Sequence, residues 1–123
     1  MDETLMKILI TSALLLLSPL VQAGAVCTPA DAGTLRLALK DKAETELIFF
    51  ASWCASCKKH LIEARSSDVL IAVFDEQAAA EKVVTQFAPL PSRRCYWDSD
   101  GTIATAYEVK GLPAQRKPLI TPK

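Results

Sequence analysis

In Phe49-Phe50-Ala51-Ser52-Trp53-Cys54-Ala55-Ser56-Cys57-Lys58-Lys59 an apolar run gives way to two cysteines spaced i, i+3. The run begins earlier, as ELIFFAS over residues 46–52. Its length and unbroken apolarity are those of a strand buried on both faces. From Cys54 to about Ser66 the pattern turns helical, with Cys57, Leu61, Ile62 and Ala64 expected inside and Lys58, Lys59, Glu63 and Arg65 outside. Cysteines at i and i+3 sit on one side of a helical turn and can close a small disulfide ring. Cys54 is expected at the helix N-terminus, where free N–H groups and the helix dipole favour a thiolate. That makes Cys54 the expected nucleophile and Cys57 the more buried resolving thiol. The chemistry is dithiol–disulfide exchange and needs no cofactor.

Outward from this stretch, strands and helices alternate. VLIAVF, residues 69–74, is a second buried strand, and Asp75 or Glu76 opens a helix that runs to about Phe87, ended by Pro89 and Pro91. Cys95-Tyr96-Trp97 is a short strand, Asp98-Ser99-Asp100-Gly101 a turn, and residues 102–107 one or two helical turns. On the N-terminal side, Thr28-Pro29-Ala30-Asp31 looks like a helix start, with Leu35, Leu37, Ala38 and Leu39 as its apolar stripe to about Ala43. A short final strand is expected near Leu119-Ile120. This alternation implies an α/β fold, a mostly parallel sheet with helices on its faces. In such sheets chemistry gathers where strands end and helices begin, which is where the two cysteines fall.

Composition narrows the function. The chain has 123 residues, 50% of them hydrophobic and 23% charged, as expected of one globular domain. Lys plus Arg and Asp plus Glu number 14 each, so no basic excess points to nucleic acid. Residues 8–21, ILITSALLLLSPLV, are apolar but too short for a comfortable membrane span. Lys7 precedes them and Val21-Gln22-Ala23 follows, so residues 1–23 read as a secretory signal cleaved after Ala23. A start at Met6 would give the better signal. Residues 24–123 are then an exported domain that keeps all four cysteines and no membrane contact. An oxidising compartment makes disulfides available to each of them. Trp97, Phe49, Phe50, Phe74 and Phe87 are expected in the core, and Arg93-Arg94 in a solvated turn.

The stretch Phe49–Lys59, with its Trp-Cys-x-x-Cys, resembles the active-site segment of the thioredoxin superfamily, most of all its exported TlpA-like and cytochrome c maturation branch. Ala106-Tyr107-Glu108-Val109-Lys110-Gly111-Leu112-Pro113 resembles the family's second segment, and Asp98–Gly101 its D-x-D-G turn. The likeness covers roughly residues 34–115. It implies a thioredoxin-like fold, a central mixed sheet flanked by helices, and a monomer that exchanges disulfides with exported proteins and a redox partner protein, more as reductant than oxidant. It also implies that Pro113 is cis and that Leu112 offers backbone groups to a substrate peptide. Trp53, beside Cys54 on the same loop, is expected to cover the thiol and touch substrate, against the plainer reading of a half-buried aromatic.

Three departures from the family pattern stand out. The family's buried carboxylate falls at Ile48, which cannot ionise. His60 stands where some exported members carry a glutamate, and is a candidate acid or base for Cys57, against the plainer reading of a solvated helix histidine. Residues 116–123 are all that follows the stretch of likeness, so the family's C-terminal hairpin and helix are expected to be missing or minimal. A degenerate, non-catalytic relative is therefore an alternative. Cys27 and Cys95 form the other pair: a structural disulfide worth about 3–4 kcal/mol, or a second redox relay. Four cysteines allow three pairings. A metal module using Cys54, Cys57, His60 and a distant Cys95 is a further alternative; no metal is expected.

Overall fold

Residues 26–88 and 94–119 are described by the structure, a computed structural model. The expected signal segment and its cleavage point, Pro89, Pro91, Arg93 and Ile120 lie outside these residues. The elements in chain order are β1 (Cys27–Ala30), α1 (Ala32–Ala38), β2 (Leu47–Phe50), α2 (Cys57–Glu63), β3 (Val69–Ala72), α3 (Gln77–Phe87), β4 (Arg94–Asp98), α4 (Thr102–Ala106) and β5 (Ala114–Arg116). They build an α/β fold around one five-stranded mixed sheet in the order β1-β4-β3-β2-β5. All neighbours are parallel except β5, which runs antiparallel to β2.

The two apolar runs become the central strands because every residue of β2 and β3 is buried. Successive side chains leave a strand on opposite faces, so each strand feeds two cores. Ile48, Phe50, Leu70 and Ala72 face one side, with Cys57 and Leu61 of α2 and Ala80, Val83 and Val84 of α3. Leu47, Phe49, Val69 and Ile71 face the other, with Leu35 of α1 and Ile103 and Ala104 of α4. Phe49 meets the Tyr107 ring there at 5.4 Å between centroids. Among the described residues no helix is long and apolar enough to cross a membrane.

Four local expectations are corrected. Residues 27–30 form a strand rather than a helix start, because they pair along β4 with Cys27 opposite Cys95. Pro29 is tolerated because β1 is an edge strand. Asp31 does cap α1, its carboxylate accepting the Thr34 N–H at 2.8 Å. That bond holds the Asp31 carboxyl below its usual range, so this cap weakens only as acid protonates it. The helix stops at Ala38, and Leu37 is exposed. Ile62 is exposed as well, since the inner side of α2 is Cys57 and Leu61 at i and i+4, with Ala64 buried just past the helix end. Among the described residues the last strand is Ala114–Arg116, defined by pairing with β2, and Leu119 lies in no strand.

The turn after β4 carries a buried carboxylate. Asp98 is 6% exposed, and its two oxygens accept the N–H groups of Ile103 and Ala104 at 3.0 Å each. Gly101, at φ 81°, supplies the left-handed turn that brings those donors round. Thr102 Oγ1 in turn accepts the Ala32 N–H, tying α4 to α1. Asp98→Ala strands two buried donors and is expected to cost about 2–4 kcal/mol. Asp98→Asn keeps one acceptor and is expected to cost less. Urea denaturation checks both, and a change in Asp98→Ala below about 0.5 kcal/mol, the range of ordinary surface substitutions, would refute the role.

Candidate functional site

The Ser52–Cys57 loop leaves the C-terminal end of β2, between two parallel strands and α2. Its backbone is a pair of tight turns. The Cys54 N–H donates to the Ala51 carbonyl at 3.1 Å, and the Cys57 N–H to the Cys54 carbonyl at 3.1 Å. These i→i−3 bonds delay the helix, so α2 starts at Cys57 and Cys54 lies three residues ahead of it, not within its first turn. The helix ends at Glu63, where Ala64 turns extended.

Cys54 and Cys57 form a disulfide, with their Cα atoms 5.3 Å apart. The two sulfurs are not equivalent in access. Cys57 is 0% exposed and Cys54 is 7% exposed, both within the cluster on the α2–α3 face. An attacking thiol meets Cys54 first. Ser56 Oγ lies 3.6 Å from the Cys54 sulfur. The Lys58 Nζ sits over the Phe87 ring, 5.4 Å from the centroid.

Trp53 is 64% exposed, and its indole N–H donates to the Phe74 carbonyl at 2.8 Å. Phe74 was expected in the core but is 52% exposed. Its backbone takes φ 56°, a left-handed conformation uncommon for a bulky side chain, and the ring does not continue the buried row of Leu70 and Ala72 that strand alternation would extend to it. Next to it, Asp75 accepts from both the N–H and the hydroxyl of Ser52. Sequence reading gave Asp75 only the role of a helix opener and Ser52 none. Their common position at the ends of adjacent buried strands was the available signal.

Leu112–Pro113 is a cis peptide bond. Ala114 pairs with Phe49, and the antiparallel register carries the preceding residues toward the end of β2 from which the cysteine loop departs. Leu112 packs against the cluster that holds Cys54 and Cys57. Trp53, Cys54, Cys57, Leu112 and Pro113 thus share one end of the sheet.

His60 lies one turn along α2 from Cys57. Its Nδ1 is buried without a hydrogen-bond partner. It lines a cavity of ≈ 320 Å³ with Ile48, Glu46, Glu63, Asp68 and Gln115. The other cysteines are also paired: Cys27 and Cys95, opposite each other on β1 and β4, form a disulfide with Cα atoms 4.5 Å apart. The Cys27 N–H donates to Glu81 and its carbonyl accepts from Gln77, so α3 holds both backbone groups of the edge residue. All four sulfurs lie in disulfides, and among the described residues no group of three His, Cys, Asp or Glu converges.

Scanned against known families, the chain matches no family model. No curated protein matches it.

Proposed function

We propose that the chain is an exported, thioredoxin-like thiol–disulfide oxidoreductase of the TlpA-like kind, acting on protein thiols and disulfides. The observation that carries this reading is the Cys54–Cys57 disulfide, set at the strand ends with Cys54 slightly exposed and Cys57 fully buried. In the reductant direction, the Cys54 thiolate attacks a substrate disulfide. A Cys54–substrate bond forms, and one substrate sulfur leaves as thiolate. Cys57 then attacks the Cys54 sulfur, restores the Cys54–Cys57 disulfide and releases the second substrate thiolate. Two electrons pass to the substrate, and its two thiolates take up protons.

Trp53, Leu112 and Pro113 flank the accessible sulfur in this reading and receive the substrate chain. His60 is the acid–base candidate for Cys57, supported by its i+3 position and its unpartnered buried Nδ1. The Cys27–Cys95 disulfide is structural. Residues 1–23 act as the export signal, which places the domain of residues 24–123 in the periplasm or an equivalent oxidising space.

Reduction of an insulin disulfide by dithiothreitol tests the activity. The protein is expected to raise the rate at least tenfold over the uncatalysed reaction at micromolar concentration. A rate equal to the uncatalysed one would overturn the reading and favour a non-catalytic relative.

A further inference from the structure

The residue that does most to fix the cysteine loop is not in the motif. Asp75 follows β3 and is 23 positions from Ser52 in sequence. Its Oδ2 accepts the Ser52 N–H at 2.6 Å, and its Oδ1 accepts the Ser52 hydroxyl at 3.0 Å. Oδ1 also takes the Glu76 N–H at 2.9 Å. The Asp75 carbonyl accepts the Trp97 indole N–H from β4 at 2.8 Å. One residue therefore links the ends of three adjacent strands, and its carboxylate is directed at the position two before Cys54. A helix cap does not account for it, since α3 has Glu76 as its N-cap residue. The left-handed turn at Phe74 makes the arrangement feasible, because it aims the Phe74 carbonyl at Trp53 and the Asp75 side chain at Ser52.

We propose that Asp75 is a positioning residue for Cys54, acting through its two hydrogen bonds to Ser52. This inference rests on the exchange reading above. Displacement at sulfur depends on the approach to the Cys54 sulfur, and small misplacements of reacting atoms cost large factors in rate. Apart from these bonds, the loop backbone is held by its own i→i−3 turns and the Trp53 side chain by its bond to the Phe74 carbonyl. The carboxylate anchors the loop to β3, which is buried on both faces.

The test combines amide hydrogen exchange with the rate of reduction of the oxidised protein by dithiothreitol, in Asp75→Asn, Ser52→Ala and Ser52→Thr. In Asp75→Asn the Ser52 N–H and the Glu76 N–H compete for a single acceptor oxygen, and the Ser52 bond loses the charge assistance of the carboxylate. Ser52→Ala removes only the hydroxyl bond and is the milder change. Expected are an at least tenfold loss of Ser52 amide protection in Asp75→Asn, with the Val73 amide, bonded to the Phe50 carbonyl, still protected. The reduction rate is expected to change about tenfold in Asp75→Asn and less in Ser52→Ala, with Ser52→Thr restored to the wild-type value. Unchanged rates in both Asp75→Asn and Ser52→Ala would overturn the proposal. So would a Ser52→Thr protein as altered as Ser52→Ala, or a loss of protection that spreads to Val73. A wild-type chain that performs no exchange at all would instead defeat the exchange reading, and would show as such in the wild-type control.

Discussion

Cys54→Ser is expected to abolish thiol–disulfide exchange and leave the fold standing. A serine hydroxyl at that position is not ionised near neutral pH and does not displace a sulfur. The remaining thiol, Cys57, is wholly buried and cannot meet a substrate disulfide in its place. The structural cost is small. The disulfide that disappears closes a loop of only three residues' separation, worth about 2 kcal/mol in the chain-entropy account. Cys54 belongs to the same apolar cluster as Ile48, Phe50 and Leu61, and those contacts do not depend on its sulfur being bonded. Insulin reduction should fall to the uncatalysed rate, while the circular dichroism spectrum keeps its native form. Exchange retained in Cys54→Ser would remove the residue from the mechanism.

The second large effect is the converse. Replacing Cys27 and Cys95 together by serine is expected to cost roughly 4 kcal/mol of stability, because this disulfide spans 68 residues of sequence. It also ties the edge strand covalently to β4, in addition to their parallel pairing. β1 contributes four residues, two of them exposed, and α3 reaches it through Glu81 and Gln77. Small domains hold total stabilities of about 5–15 kcal/mol, so a loss of this size shows as a large drop in the urea midpoint. The surviving folded fraction should still exchange disulfides through Cys54 and Cys57. If exchange vanished in a variant that remained folded, Cys27 and Cys95 would be a second relay, not a staple. The two experiments thus separate the pairs, one governing activity and the other stability.

Some elements could be read from the chain because their cause is local. The apolar runs at residues 46–52 and 69–74 contain β2 and β3, and burial on both faces follows from their lack of polar positions. The helix from Gln77 to Phe87 and the turn at Asp98–Gly101 are also set by nearby residues. β1 and β5 were misread because their cause is remote. Cys27-Thr28-Pro29-Ala30 and Ala114-Gln115-Arg116 have no strand pattern of their own; the strands they pair with impose the extended state. Phe74 continues an apolar run in sequence, yet a single left-handed residue takes it out of the core.

The site divides the same way. Cys54 and Cys57 are neighbours in sequence and their spacing suggests their chemistry, while Trp53 is singled out by its place beside Cys54. The Cys27–Cys95 pairing needed the register of β1 on β4, which makes one of three possible pairings a direct cross-strand contact. Asp75 escaped notice because its partner Ser52 lies across a strand crossover, and an acidic residue before a helix already had a sufficient local explanation.

A glutathione redox titration of the folded protein, with all four cysteines followed by thiol trapping, tests the central claim most directly. The account predicts a reversible two-electron transition at Cys54 and Cys57 while Cys27 and Cys95 remain bonded. The absence of a reversible transition at Cys54 and Cys57, or reduction of both pairs together as the chain unfolds, would contradict it.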